Sequence, residues 1–375
     1  MARRKGKSER RIKDWHQRYS AGDEVKGAAA PRQRMSRRAV KLGAGSFAAA
    51  EADLEGMERK TGMVVGLFRG GATVRLEGRR LLCGIAKTFR APGGTSPLAV
   101  GDDVTVALVP AGYMQGRTDT DKRRADGVIL SRGPRKSALS RPQPWSGKRR
   151  VEYKTQVPEK VIAANMDVLL IVAATRQPRM RRALIDRFLI IAERGELKPL
   201  LAVNKIDLQP PDEGLLAEFS HLGLEIFRCS AVTGAGLAAL AAALAGRRSV
   251  LAGPSGVGKS TLVNALVPGA EAATREIRMK DERGRHTTSA AVVYDLPAGG
   301  MIVDTPGIRE LGMHIEAAVL PWYFPEFEAA AAKCRFKNCT HTAEPDCAVR
   351  DAAEAGAILP RRYESYLRIL DTLEA

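Results

Sequence analysis

The spacing of apolar residues changes character several times along the 375-residue chain. From about residue 59 to 142 the apolar positions fall in short, β-rich runs at 61–68, 72–76, 79–85 and 103–108, with glycine-bearing turns between several of them, and 127–131 adds a fifth. Five short strands joined by long basic loops predict a small barrel of the oligonucleotide-binding (OB) type. By pattern alone an SH3-like barrel or a β-sandwich is almost as compatible. Residues 118–124 and 132–150 read as polar, basic connections.

From about 158 to 312, strands alternate with helices. Residues 167–174 are a nearly continuous apolar run, as expected for a strand buried on both faces. Leu184, Phe188 and Ile191 recur at helical spacing within 181–193. Further strands are predicted at 199–203, 225–229, 249–252 and 300–303. An Ala/Leu-rich helix follows the second of these, and another helix covers 261–266. This is an α/β pattern with a mainly parallel sheet, whose ligands gather at the C-terminal ends of strands. In the last sixty or so residues, Tyr363, Tyr366, Ile369 and Leu370 mark the packed face of a terminal helix.

The composition, 45% apolar and 27% charged, fits a soluble globular protein, and the length allows two or three domains. The net charge of +18 favours a polyanionic partner, nucleic acid or an acidic membrane surface. No apolar run approaches the roughly 18 residues of a membrane span. Residues 1–20 are too polar for a secretory signal, and Glu9, Asp14, Asp23 and Glu24 count against a mitochondrial presequence. Residues 1–58 read as a basic tail with too few apolar groups to order itself. A phosphate-binding arm and a partnerless solvated tail remain equally open for it. Five cysteines, three of them crowded near the C-terminus, favour metal over disulfides in a cytosolic chain.

The chemistry begins at Gly253-Pro254-Ser255-Gly256-Val257-Gly258-Lys259-Ser260, followed by Thr261. This matches GxxxxGK[ST] in full, between a predicted strand and a predicted helix. Its backbone N–H groups make an anion nest, Lys259 reaches the β- and γ-phosphates, and Ser260 ligates Mg²⁺. Asp304-Thr305-Pro306-Gly307 ends the strand at 300–303, where Asp304 can hold Mg²⁺ and the Gly307 N–H can sense the γ-phosphate. Asn204-Lys205-Ile206-Asp207 follows the strand at 199–203. Asp207 can accept from guanine N1–H and the exocyclic amine, Asn204 can bond the O6/N7 side, and the Lys205 stem can cover the base. Ser230-Ala231 can add a backbone N–H to guanine O6.

Between the two phosphate motifs, Gly284-Arg285-His286-Thr287-Thr288 reads as a first switch loop. Thr288 is preferred as the residue completing Mg²⁺, with adjacent Thr287 as the alternative. Ile308 stands where many GTPases place a water-orienting glutamine, so His286 is a candidate for that task; a solvent-exposed loop histidine is the equal alternative.

The base-reading tetrad precedes the phosphate loop, the reverse of the usual order, which predicts a circular permutation. Both switches then lie at the C-terminal end of the nucleotide domain, about 30 residues from a second cluster. Cys334-x4-Cys339-x-His341-x5-Cys347 supplies three thiolates and an imidazole, a closed tetrahedral set for structural Zn²⁺. Loss of the γ-phosphate is expected to shift this zinc domain against the barrel. Lys333, Arg335, Phe336 and Lys337 on the finger suit either RNA contact or a solvated rim. Cys83 and Cys229 read as core residues.

On these motifs, together with Ala163-Ala164-Asn165 and Arg362-Tyr363-Glu364-Ser365-Tyr366, the chain from about 60 to 375 resembles the RsgA (YjeQ) family of circularly permuted, ribosome-associated GTPases. The resemblance implies an N-terminal OB-like barrel, a central permuted α/β P-loop GTPase domain and a mainly helical C-terminal zinc domain. The expected boundaries are a tail at 1–58, a barrel at 59–142, a linker at 143–157, a GTPase domain at 158–312 and a zinc domain at 313–375. It implies a cytoplasmic monomer that binds GTP and GDP, acts on the 30S subunit and its 16S rRNA late in maturation, and helps release another assembly factor. It also implies subunit-stimulated hydrolysis with His286 in the family's catalytic position. A non-catalytic, nucleotide-holding RNA chaperone and an ATPase are the competing readings.

Overall fold

The computed structural model describes residues 56–68, 70–92, 96–110, 125–142, 159–270, 291–305 and 315–374. The tail up to residue 55, the whole of the expected linker, the loop containing His286, Thr287 and Thr288, and the segment with Gly307 and Ile308 lie outside the described residues.

β1 (Arg59–Phe68), β2 (Gly71–Leu76), β3 (Arg79–Arg90), β4 (Asp103–Leu108) and β5 (Gly127–Arg132) close into a barrel in the order β1-β2-β3-β5-β4. Val64, Val74, Cys83, Val104, Val106 and Ile129 fill it, alternating along each strand with outward residues. Closure removes the β-sandwich. The parallel β3/β5 pairing, beside otherwise antiparallel neighbours, matches OB topology rather than an all-antiparallel SH3-like barrel. β3 runs five residues past its predicted end. Its far end pairs with β5 after a register shift, and Lys87, Thr88 and Arg90 there are exposed, so no apolar alternation marks it.

A two-stranded antiparallel ribbon follows, β6 (Ala138–Pro142) with β7 (Glu159–Ala164), where the sequence predicts only a polar connection before residue 150. The ribbon joins the barrel to the nucleotide domain through a tight seam. Gly101 has φ 92° and approaches so closely that a Cβ would lie 2.0 Å from Ala164 O. Asn165 donates from Nδ2 to Gly101 O at 3.1 Å and accepts from Lys136 N at 2.9 Å. Asp102, fully buried, accepts from Ala99 N at 2.6 Å and from Arg135 Nε at 2.7 Å, so its charge is paired where it is desolvated. The Ala163-Ala164-Asn165 motif is therefore a domain seam.

The central sheet contains β8 (Val168–Ala174), β9 (Lys198–Asn204), β10 (Glu225–Arg228), β11 (Arg248–Ala252), β12 (Val292–Asp295) and β13 (Met301–Asp304). Their spatial order is β10-β9-β8-β11-β13-β12, parallel except for the edge strand β12. The helices are α1 (Arg182–Arg194), α2 (Glu213–His221), α3 (Leu237–Leu244) and α4 (Lys259–Leu266). All seven residues of β8 are buried, and they alternate between two cores. Leu169, Ile171 and Ala173 join Phe188 and Ile191 of α1, while Leu170 and Val172 join Leu240 of α3 and Leu262 of α4. The sequence reading does not include α2. Its start signal is Pro210-Pro211-Asp212, and the Asp212 side chain caps Leu215 N at 3.1 Å.

Two 3₁₀ segments, Ala317–Tyr323 and Pro325–Phe327, lead into the C-terminal helices α5 (Ala348–Glu354) and α6 (Pro360–Glu374). Tyr366, Ile369 and Leu370 are buried as predicted, and Tyr363 is half-buried. Phe327 and Tyr366 meet with ring centroids 5.1 Å apart. This domain joins the α1 side of the sheet in one apolar cluster.

Candidate nucleotide site and metal centre

β8 lies at the centre of the sheet; the chain turns from it toward β9 and β10 on one side and returns to β11 on the other. Such a reversal opens a crevice at the C-terminal strand ends, and three candidate motifs converge there. The phosphate loop leaves β11 and enters α4, whose first residue is Lys259. The helix thus starts two residues earlier than predicted and carries Lys259 and Ser260 in its first turn. Lys259, only 8% exposed, donates from Nζ to Gly253 O and Pro254 O, both at 2.7 Å. Ser255, Gly256, Ser260 and Thr261 are accessible on the outer side of the loop and the helix start.

Asn204 ends β9 and is buried. Its Nδ2 donates to Val257 O of the phosphate loop at 3.0 Å, and its Oδ1 accepts from Ala231 N at 3.0 Å. One side chain thereby ties the tetrad to both neighbouring motifs, and of the Ser230-Ala231 pair expected to offer a backbone N–H to guanine O6, the Ala231 N–H is engaged here with Asn204. Gly258, at φ 91°, leaves room for this clamp: a Cβ there would be 2.5 Å from Asn204 Nδ2. Lys205 turns the chain at φ 65°, and its Nζ donates to Gln177 O and, at 2.6 Å, to Gly256 O. Thr175 Oγ1 donates to Lys205 O at 2.7 Å. The Thr175–Gln177 connection thus braces the site, a role the sequence marks only by the end of an apolar run. Ile206 is half-buried and Asp207 exposed beyond this turn. Ser230 is buried and accepts from Thr233 N at 3.1 Å, which holds the Ser230-Ala231 turn. Asp304 closes β13, paired in register with Val292 of β12.

The second centre is in the C-terminal domain. The ligand atoms of Cys334, Cys339, His341 and Cys347 all lie within 4.8 Å of one another. His341 Nδ1 is 3.6 Å from the Sγ atoms of both Cys334 and Cys347. A tetrahedral zinc shell with ordinary bond lengths has N···S separations of about 3.5 Å, so the donor set fits such an ion. Tyr363 OH donates to His341 O at 2.6 Å, and Tyr366 OH donates to Thr340 O, so α6 braces the ligand loop.

Glu344 ties the same loop from within, accepting from Thr340 N at 2.5 Å, Thr340 Oγ1 at 2.6 Å and Thr342 N at 2.9 Å. Burial by itself would raise its pKa. Hydrogen bonds from the Thr340 hydroxyl and from the backbone N–H groups of Thr340, Glu344 and Thr342 outweigh that and hold it at about 2. A depressed carboxyl contributes stability that is present above its unfolded pKa and lost as pH falls through its folded value. Glu344→Gln is therefore expected to destabilise the protein at neutral pH, with the gap to wild type narrowing between about pH 4.5 and pH 2. Denaturant unfolding of both proteins across that range checks it.

A mainly parallel sheet carrying a P-loop, with the strand that leads into the Asn-Lys-Ile-Asp tetrad placed earlier in the chain than the phosphate-loop strand, defines a circularly permuted P-loop GTPase. A model of the RsgA GTPase family matches residues 132–314. The small ribosomal subunit biogenesis GTPase RsgA of Gemmatimonas aurantiaca is 41% identical over 284 residues, covering 75% of this chain and 86% of that protein. Its namesake from Shewanella oneidensis is 34% identical over 322 residues, 84% of each chain. The crystal structure of YjeQ from Thermotoga maritima superposes with a TM-score of 0.60 at 31% identity, over 85% of this chain and 99% of that one. The structure of YloQ, a circularly permuted GTPase, shares the fold with a TM-score of 0.57 at 22% identity, over 87% of this chain and 98% of that one. The chain belongs to the RsgA GTPase family.

Proposed function

We propose that this protein hydrolyses GTP on the small ribosomal subunit and assists that subunit's late maturation, hydrolysis being coupled to release of this protein or of another assembly factor. The observation that carries the reading is the Asn204 clamp, which holds a guanine-type tetrad and a complete phosphate loop against each other at the C-terminal ends of the interior strands β9 and β11. The relatives' names as small-subunit biogenesis GTPases and the chain's net charge of +18 supply the partner.

In this reading Asp207 reads the guanine edge, with Asn204, Lys205, Ile206, Ser230 and Ala231 shaping the base pocket. Residues 253–261 cradle the phosphates, and Gly307 reports the γ-phosphate. Lys259 leaves its two loop carbonyls for the phosphate oxygens, exchanging neutral acceptors for charged ones. Ser260, Thr288 and Asp304 would hold Mg²⁺, which neutralises charge developing on the transferred phosphoryl group. His286 positions the attacking water, because the apolar Ile308 cannot. Cys334, Cys339, His341 and Cys347 hold one structural Zn²⁺. The protein is a cytoplasmic monomer, and 16S rRNA is its contact surface on the subunit.

GTP turnover measured side by side with small subunits, large subunits and free RNA tests the reading. Stimulation specific to small subunits is expected, and equal turnover in all four conditions, protein alone included, overturns it. Lys259→Ala is expected to reduce stimulated turnover by at least about a hundredfold, as for loss of a principal charge-stabilising group. A fully active variant removes the phosphate loop from the mechanism.

A further inference from the structure

We propose that an arginine strip, running from the rim of the phosphate loop to the C-terminal helix α6, grips RNA backbone phosphates and transmits that grip to the nucleotide loop. The proposal rests on the small-subunit reading above and names the surface that meets the RNA.

The strip begins in the short connection from β8 to α1. Arg176, Arg179 and Arg181 are all exposed there, and none has a carboxylate partner among the described residues. Arg182 follows in the first turn of α1. Opposite it, α6 presents Arg361 and Arg368, seven residues apart and so on one helical face. The two elements enclose a groove of about 280 Å³ lined by Arg182, Ala183, Arg361, Glu364, Ser365 and Arg368.

Two carboxylates temper the charge. Glu218 pairs with Arg182 and lies 3.6 Å from Arg361, and Glu364 lies 3.5 Å from Arg368. The Arg361 and Arg368 side chains are 69% and 70% exposed. Both guanidinium groups are therefore largely solvated, and an ion pair on a solvated guanidinium is weak, so phosphate competes for them. Guanidinium is planar, weakly hydrated and bidentate, which suits a phosphodiester better than ammonium does. Six guanidinium groups, five of them exposed, with two partial counter-charges suit a polyanion.

The strip also touches the nucleotide machinery. Lys205 Nζ holds both Gln177 O, inside the arginine connection, and Gly256 O of the phosphate loop. Pro178 packs against the same glycine, where an added Cβ would be 3.4 Å from Pro178 Cδ. Tension on Arg176 and Arg179 is therefore delivered within two residues to groups that position the phosphate loop.

The test is the triple substitution Arg179→Gln, Arg181→Gln, Arg368→Gln in the full-length protein, with the matching Arg→Lys triple as a charge-keeping control. Binding to small subunits and to protein-free 16S rRNA is measured across a salt series, and GTP turnover is measured with and without subunits. The neutral triple should bind both targets about a hundredfold more weakly at about 0.1 M salt and lower the salt slope by about 2. Its turnover without subunits should stay at the wild-type level while subunit stimulation falls, and the Lys triple should retain most of the binding. Wild-type binding and slope in the neutral triple overturn the strip. A loss on intact subunits but not on protein-free rRNA assigns the surface to a protein partner and also overturns it. If wild type itself binds no subunit, the small-subunit reading fails, which is a separate result.

Discussion

Asp207→Asn is expected to reverse the nucleotide preference, weakening GTP by roughly 10²–10³-fold and admitting xanthosine triphosphate. Asn204 is fixed in the interior by Val257 O and Ala231 N, and Lys205 turns the chain at φ 65°. The turn is closed by Leu208 N donating to Lys205 O at 3.0 Å. Asp207 is thereby carried out to the crevice with its carboxylate exposed. A carboxylate can accept two bonds from the N1–H and amine edge of guanine, each charge-assisted bond being worth about 1.5–3 kcal/mol. An asparagine amide faces that edge with a donor against a donor, whereas the carbonyl that xanthine carries in place of the amine can accept from it. Competition binding of the two nucleotides to both proteins measures the switch. An unchanged GTP preference would take Asp207 out of base recognition, and tight ATP binding by the wild type would support the ATPase reading.

Arg362→Ala is expected to cost about 3–5 kcal/mol of stability, as for removal of one partner from a buried ion pair. Arg362 on α6 is 4% exposed and pairs with Asp186 of α1, which is 1% exposed and also accepts from Ser365. Its Nε donates to Glu326 at 2.5 Å, and its guanidinium lies 4.7 Å over the Phe324 ring. Burial raises the Asp186 pKa even against the pull of Arg362 and Ser365. Without the guanidinium it rises further, so the carboxyl is charged at neutral pH only at high cost. An acid with a raised folded pKa has its stability intact below the unfolded value and loses it as pH rises through the folded one. The deficit of Arg362→Ala should therefore be largest near pH 7 and shrink as pH falls. Urea unfolding at several pH values measures this, and a variant within about 0.5 kcal/mol of wild type at pH 7 would show the network to be dispensable.

This network bears on the coupling expected from the permuted motif order. The domain that carries the Cys/His cluster is continuous with α1 through buried charge and through Phe324, Phe327 and Tyr366. A movement of that domain against the barrel has to carry α1 with it or break the Arg362–Asp186 pair. The barrel meets the other end of the sheet, where Arg75 pairs with Asp295 of β12 and Arg248 lies 3.4 Å from Asp103. β12 directly precedes β13, the strand that ends at Asp304.

What was legible in the sequence was local. Short β-rich runs separated by glycine-bearing turns placed the five barrel strands, the nearly unbroken apolar run placed β8, and the phosphate loop declared itself because its glycines and lysine act on one ligand through consecutive backbone groups. The Cys/His spacing likewise needs only a short loop to close around an ion. The β6–β7 ribbon was not legible, because its strands are far apart in sequence and much of their burial comes from the neighbouring domains. Asn204 was legible as part of a tetrad but not as a clamp, since its partners, Ala231 and Val257, lie 27 and 53 residues away.

The sequence by itself determined the inventory: a β-rich barrel region, an α/β domain, a complete phosphate loop, a guanine-type tetrad out of its usual order, and four metal-donor side chains. Each is encoded by residues close enough in the chain for backbone geometry alone to bring them together. Only the tertiary structure decided how these parts bear on one another. The spatial strand order β10-β9-β8-β11-β13-β12 puts the tetrad beside the phosphate loop although the chain visits them in reverse. Asp186 and Arg362, 176 residues apart, become a single buried charge pair. Desolvation is the physical reason: a polar or charged group must find its partner wherever the fold buries it, and that partner is set by packing rather than by proximity in sequence.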